Sequence, residues 1–252
     1  MKILVIGLEG SAADVWLQDE RLTTLRGLME AGCYGPLEGA GSPTSPPSWT
    51  CLATSRPIQA PAIWDRVAAA NGRSILIDLP AGVAPQPAAG LSIVATGATG
   101  ASSDDGADSL LDASRKRFEA VRRLMTEESW DYMQVVDDGI DRLRLDQEIA
   151  RTLELLGDDA IVLIAFLHPD PTTRGAFILA GTQLPPFGAI DGVRVLDVAP
   201  TLLALADLPP PPQADGRDFL EGREPTDPAG GVPGLDDDEL VRERLRGLGY
   251  IG

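Results

Sequence analysis

The segment Lys2-Ile3-Leu4-Val5-Ile6-Gly7, followed by Leu8-Glu9-Gly10, indicates the fold. A short, β-branched apolar run that ends in glycine is typical of a buried strand in a parallel sheet. Similar runs recur at residues 74–79, 91–95, 132–136, 161–166 and 176–180. Between them, apolar residues recur at the helical spacings of three, four and seven, and so share one face in each of three sets: Leu22, Leu25 and Met29; Leu111, Phe118, Val121 and Met125; Leu145, Ile149, Leu153 and Leu156. Strands that alternate with helices predict an α/β fold, with a mostly parallel sheet and helices on both faces.

The composition limits the classes of function. Of the 252 residues, 38 are acidic and 21 are basic, which gives a formal net charge of −17. Because binding to nucleic acid or to anionic lipid needs clustered Lys and Arg, we expect neither a nucleic acid nor a membrane as partner. A hydrophobic fraction of 44% is enough for a sizeable core. No apolar run approaches the roughly 20 residues of a membrane span, and no signal peptide is visible, so we expect a cytoplasmic protein.

Two residue types that commonly bind metals are scarce. The two cysteines, Cys33 and Cys51, are too few for a disulfide framework and lack zinc-site spacing, so we expect buried free thiols. The only histidine is His168. A dinuclear zinc hydrolase usually binds its metals through several imidazoles, so a single histidine argues against a complete site of that kind.

Proline and glycine divide the chain into two parts. We assign residues 1–221 to one α/β domain, and residues 222–252 to a Pro/Gly-rich linker and a short C-terminal helix. That helix would begin within residues 236–238 and would carry Leu240 and Leu245. Inside the domain, Asp197 is a candidate N-cap for a helix that runs through residues 201–205.

Two segments could supply chemistry. Glu9 follows the first strand, and ligands of open α/β sheets bind outside the carboxyl ends of the strands. Its alternative role is that of a loop carboxylate that caps the next turn. The second segment is Pro43-Thr44-Ser45-Pro46-Pro47-Ser48-Trp49-Thr50, whose prolines would hold the hydroxyls in place. A serine there could act as a nucleophile if a metal or a base activates it, although such a loop can also be only a turn.

In this order, these segments resemble the alkaline phosphatase superfamily, and most of all its type I phosphodiesterase/nucleotide pyrophosphatase group with the related predicted phosphohydrolases and phosphomutases. In that group, a strand ending in Gly-Leu-Asp-Gly precedes a Gly-x-Tyr-Gly-Pro-Leu segment and a Thr-Pro-Pro-x-Trp-Thr loop that carries the nucleophile. The matching segments here are Gly7-Leu8-Glu9-Gly10, Gly32-Cys33-Tyr34-Gly35-Pro36-Leu37 and Ser45-Pro46-Pro47-Ser48-Trp49-Thr50. Later segments, such as Gly139-Ile140-Asp141-Arg142, extend the resemblance over nearly the whole chain.

The resemblance implies an active site in which two metal ions, bound by Asp and His side chains, activate the nucleophile. At the matching positions, Ser45 would be the nucleophile, and Thr44 is the alternative. The remaining metal ligands would be Glu9, Asp141 and His168.

Other ligand positions of the family carry residues that cannot bind a metal. Leu145 replaces the histidine of an Asp-x-x-x-His motif, and Leu167 replaces the aspartate of an Asp-His-Gly motif. The last histidine, expected shortly before Gly175, is also missing. We therefore expect either no metal cofactor or a single, weakly held Zn²⁺ or Mn²⁺.

Three functions are compatible with these residues. The first is a degenerate phosphohydrolase with weak or no hydrolysis, which could still bind a small phosphate-containing ligand. The second is an active hydrolase of phosphate mono- or diesters, with Ser45 as nucleophile and one metal held by Glu9, Ser45 and His168. Asp170 is a candidate substitute for the missing fourth ligand. The third is a non-catalytic interaction protein, whose acidic surface and C-terminal helix bind a protein partner.

Overall fold

The computed structural model describes residues 1–9, 16–40, 48–56, 60–80, 90–95, 107–137, 141–168 and 173–226. Its strands are β1 (Lys2–Glu9), β2 (Cys33–Glu38), β3 (Ser74–Ile77), β4 (Leu91–Val94), β5 (Tyr132–Asp137), β6 (Ala160–Leu167), β7 (Gly175–Gly181), β8 (Gly188–Ala189) and β9 (Val193–Arg194). Its helices are α1 (Thr23–Ala31), α2 (Ser48–Thr54), α3 (Ile63–Ala69), α4 (Ala107–Glu127), α5 (Arg142–Leu153) and α6 (Val198–Leu205). Of the predicted linker and C-terminal helix, residues 222–252, only residues 222–226 are among those described, so the predicted division of the chain stays a prediction.

The strands form one sheet in the order β4-β3-β5-β1-β6-β7-β2-β8, with β9 also paired to β2. The first five strands in this order, from β4 to β6, run parallel, and β1 lies between β5 and β6. Strand β7 is antiparallel to both of its neighbours. Because only a short segment connects β6 to β7, the chain has no room for the crossover that a parallel pair needs.

Alternate residues of β1 point to opposite faces of the sheet, and helices cover both faces. Ile3 and Val5 belong to a core shared with α2, α3 and α6. Leu4, Ile6 and Leu8 belong to a second core shared with α1, α4 and α5. The predicted fold class, a mostly parallel sheet with helices on both faces, is confirmed.

Strand β2 was not predicted from the sequence, because Gly35 and Pro36 interrupt its short apolar pattern. The structure explains the glycine. A Cβ atom at Gly35 would lie 2.0 Å from the carbonyl oxygen of Ile190, so only glycine permits this close approach of two backbones. Pairing with β7 on one side and with β8 and β9 on the other holds the strand in place.

Asp197 occupies the N-cap position of α6, as the sequence predicts, but its side chain does not cap the helix. The helix begins at Val198, but the Asp197 side chain makes no capping hydrogen bond to it. A 3-10 turn over Val195–Asp197 comes first and gives Asp197 a helical backbone instead of the extended one that an N-cap usually has. The carboxylate instead accepts hydrogen bonds from the backbone N–H groups of Arg194 (2.9 Å) and Arg217 (3.0 Å).

Two smaller expectations concern the thiols and the membrane. Cys33 and Cys51 are buried free cysteines, as predicted. In the part of the chain that the structure describes, no helix has the length and apolar character needed to cross a membrane.

Candidate functional site

The carboxyl ends of β1, β5 and β6 meet at one edge of the sheet. Leu8 lies opposite Asp137 of β5, and Glu9 lies opposite Leu167 of β6. His168 is the next residue after β6, so Glu9 and His168 follow neighbouring parallel strands at the same edge. Glu9 is half-buried and His168 is exposed. This edge is where ligands of open α/β sheets bind, and the structure brings two of the predicted metal ligands to it.

Trp49 of α2 is packed against the end of β1. The indole Nε1 donates a hydrogen bond to Glu9 Oε1 at 3.3 Å, and the tryptophan side chain is fully buried. Gly7 makes this packing feasible, because a Cβ atom there would lie 2.2 Å from Trp49 Cη2. The glycine and the tryptophan of two separate motifs therefore form one contact that orients the Glu9 carboxylate.

The proposed nucleophile falls outside the described residues. Ser45 and Thr44 both precede α2, whose first residue is the buried Ser48. Asp170, the substitute ligand of the single-metal alternative, also lies outside them. The catalytic role of Ser45 stays a prediction.

Asp141 is the N-cap of α5. Its Oδ1 accepts a hydrogen bond from the backbone N–H of Arg144 at 3.2 Å, and its side chain is exposed. Leu145, four residues later, is only 2% exposed and packs with Ile149 in the core beneath the helix. The helix face that would carry the family's histidine is therefore buried against the sheet.

The donor atoms in the described residues do not fit a dinuclear metal centre. Leu167, which the sequence resemblance aligns with a ligand position, is a buried residue of the core. Among the described residues, no three or more His, Cys, Asp or Glu side chains are grouped so that they could hold a metal ion. A single ion held by Glu9, His168 and Ser45 stays a prediction.

A buried ion-pair network at the same edge was not predicted from the sequence. Arg117 of α4 donates from Nε to Asp78 Oδ2 at 3.2 Å and from Nη1 to Asp137 Oδ2 at 3.3 Å. All three side chains are at least 95% buried. Sequence position alone could have indicated this network. Arg117 lies four residues before the core residue Val121, and so on the same helix face, and both aspartates lie where strands end. These ion pairs attach α4 to the carboxyl ends of β3 and β5.

The fold was compared with solved structures. A protein in the alkaline phosphatase superfamily from Vibrio parahaemolyticus matches with a TM-score of 0.55 and 15% identity, over 88% of this chain and 70% of that one. A 2-O GAG sulfatase matches with a TM-score of 0.65 and 12% identity, over 90% and 75%. A phosphonate monoester hydrolase from Silicibacter pomeroyi matches with a TM-score of 0.59 and 13% identity, over 90% and 77%.

Sequence comparison gives no such match: neither a protein-family model nor a curated protein matches this chain. At these identities, the solved structures bear on the fold and not on the activity. This chain has the α/β fold of the alkaline phosphatase superfamily, as its sequence motifs predicted.

Proposed function

We propose that this protein is a degenerate member of the alkaline phosphatase superfamily, similar to the phosphodiesterases and nucleotide pyrophosphatases, that hydrolyses phosphate esters weakly or not at all. The observation that carries the proposal is the burial of Leu145, which occupies the position of a metal-binding histidine. It packs with Ile149 against the sheet, so the Leu145 position contributes to the core and offers no metal-binding atom.

Loss of a metal ion from a two-metal site slows phosphoryl transfer greatly. In a two-metal site the cations stabilise both the attacking and the leaving oxygen of a phosphoryl transfer. Each 1.4 kcal/mol of lost transition-state stabilisation slows a reaction by roughly tenfold, so several kcal/mol correspond to orders of magnitude in rate. Weak binding of a small phosphate-containing ligand near Glu9, Ser45 and His168 would survive this loss, because ground-state binding needs fewer interactions than catalysis.

The proposal is tested by metal analysis and by an activity assay on the same preparation. We expect the full-length protein, purified with Zn²⁺ and then with Mn²⁺, to retain less than one equivalent of metal. We also expect no turnover of a nitrophenyl phosphodiester above that of the Ser45→Ala variant. Thr44→Ala is the matched control, since it removes the neighbouring hydroxyl.

The competing function is an active hydrolase with one metal. The adjacent strand ends of Glu9 and His168 favour it, because two donors already lie at one edge of the sheet. Stoichiometric metal, together with turnover that Ser45→Ala abolishes and Thr44→Ala retains, would establish this alternative and exclude the degenerate one. Turnover that only Thr44→Ala abolishes would also show that the protein is an enzyme, and it would identify Thr44 as the nucleophile.

A further inference from the structure

A groove of about 530 Å³ lies between α4 and α5, and its charge is opposite to that of the whole protein. Acidic residues outnumber basic ones in the chain by 38 to 21. Among the side chains that line this groove, arginines outnumber carboxylates by four to three. The arginines are Arg115, Arg122, Arg144 and Arg151, and the carboxylates are Glu119, Asp141 and Glu148.

One carboxylate in the groove forms ion pairs with two arginines. The Glu148 side chain is only 6% exposed. Its Oε2 accepts from Arg122 Nη1 at 2.6 Å, and its Oε1 accepts from Arg151 Nη1 at 3.0 Å. The Arg151 side chain is 60% exposed. Arg151 can therefore turn from Glu148 to a ligand. The buried Glu148 carboxylate would still be paired, because Arg122 stays in place.

Arg144 is the arginine that gives the groove its excess of positive charge. It makes no ion pair with any residue that the structure describes, although it is half-buried in the groove wall. The nearest carboxylate along the helix, Asp141, accepts from the backbone N–H of Arg144 and so caps α5. Arg115 differs from Arg144, because it already pairs with Glu119 at 2.7 Å.

We propose that this groove binds a small, multiply charged oxyanion, with Arg144 and Arg151 as its principal ligands. Guanidinium groups form paired hydrogen bonds with carboxylate and phosphate oxygens alike, so the shared chemistry is that of a polycarboxylate or a polyphosphate. The groove volume falls within the range of small-molecule sites, roughly 300–1,000 Å³. This binding needs neither a metal ion nor Ser45, so it is independent of the proposed loss of catalysis.

Calorimetric titration of the full-length protein, without added metal, tests the proposal with two separate probes, tripolyphosphate and citrate. We expect one binding site for at least one probe, and a loss of about tenfold or more in affinity when Arg144→Gln and Arg151→Gln are combined. Arg123→Gln is the matched control: it lies on α4, is 61% exposed and does not line this groove. It should bind as the parent protein does.

The outcomes separate the sources of the anion. Binding of tripolyphosphate alone identifies a phosphate ligand, binding of citrate alone identifies a carboxylate ligand, and binding of both identifies a site that recognises charge. Absence of binding by either probe at millimolar concentration would overturn the proposal. So would a double variant that folds, as judged by its thermal unfolding, and binds as tightly as the parent.

Discussion

Trp49 and Gly7 show how single residues from distant motifs combine. The sequence places both in recognisable segments, but their separation of 42 positions conceals that the indole lies on the glycine. The contact packs α2 against β1 and lets the indole donate to Glu9. The sequence could predict that Glu9 lies at a strand end, whereas its hydrogen-bond donor depends on the packing of a helix 40 residues away.

At this scale, we predict that Gly7→Ala destabilises the protein by about 1–3 kcal/mol, the usual cost of an overpacked core. The added Cβ would meet the rigid Trp49 ring at 2.2 Å, and the ring cannot move without disturbing α2. Urea denaturation followed by circular dichroism measures the change in the free energy of unfolding.

Gly27→Ala is the control for that experiment. Gly27 lies within α1 and has nothing within 4 Å of the added Cβ, so alanine should stabilise the protein by about 0.5–1 kcal/mol through helix propensity. If both variants were stabilised alike, Trp49 would not lie over Gly7.

At the scale of elements, α1 receives its cap from another helix. Leu22 at its N-cap position offers no side-chain hydrogen bond. Instead, the buried Asp146 of α5 accepts from the backbone N–H groups of Thr24 (3.1 Å) and Leu25 (3.0 Å). A carboxylate at this position also interacts favourably with the positive end of the helix dipole. No sequence signature near residue 22 could have predicted this cap, since its donor and acceptor are over 120 residues apart.

We predict that Asp146→Ala lowers the free energy of unfolding by about 2–3 kcal/mol, because two N–H groups of α1 lose a charged acceptor. Asp146→Asn should lose less, since the amide retains one acceptor oxygen. Denaturant unfolding measures the free energy of unfolding of these variants. Glu154→Ala, an exposed change at the end of α5, is the control, and its free energy of unfolding should lie within about 0.5 kcal/mol of that of the parent. Equal stability of all three variants would rule out the cap.

Five of the six predicted strands correspond closely to observed strands whose apolar runs are buried on both sides of the sheet. The sixth, β4, is a partly exposed strand at the edge of the sheet. The run at residues 74–79 ends early, at Ile77, since Asp78 has a positive φ of 46° and leads the chain out of the sheet. Strand β2 and the short β8 and β9 were missed. Their residues are held by pairing with neighbours, and local sequence preference contributes little.

At the scale of the whole molecule, both thiols lie in the core on the α2, α3 and α6 face of the sheet. Burial raises the pKa of Cys33 from 9.0 to about 12 and that of Cys51 from 9.0 to about 11. The reactive form of a cysteine is the thiolate. Neither thiol should therefore act as a nucleophile or a metal ligand in the folded protein.

We predict that neither thiol of the native protein reacts with an aromatic disulfide reagent at mildly alkaline pH, and that both react after denaturation. Because the pKa values are higher in the folded state, the unfolded chain loses protons first as the pH rises past 9.0, so stability should decline there. The Cys33→Ala/Cys51→Ala variant should show a shallower decline in the free energy of unfolding. Rapid labelling of the native protein would contradict the burial of the thiols.

The sequence by itself determined the alternation of strands and helices and the fold class, and its resemblance to a known family predicts positions at which metal ligands are replaced. These follow from local hydrophobic periodicity and from motif order, which are properties of neighbouring residues. Only the tertiary structure decided that Leu145 is buried, that Arg117 binds two strand-end aspartates, and that four arginines line one groove in an acidic protein. These features depend on which faces of distant elements meet, and that is fixed by packing across the sheet.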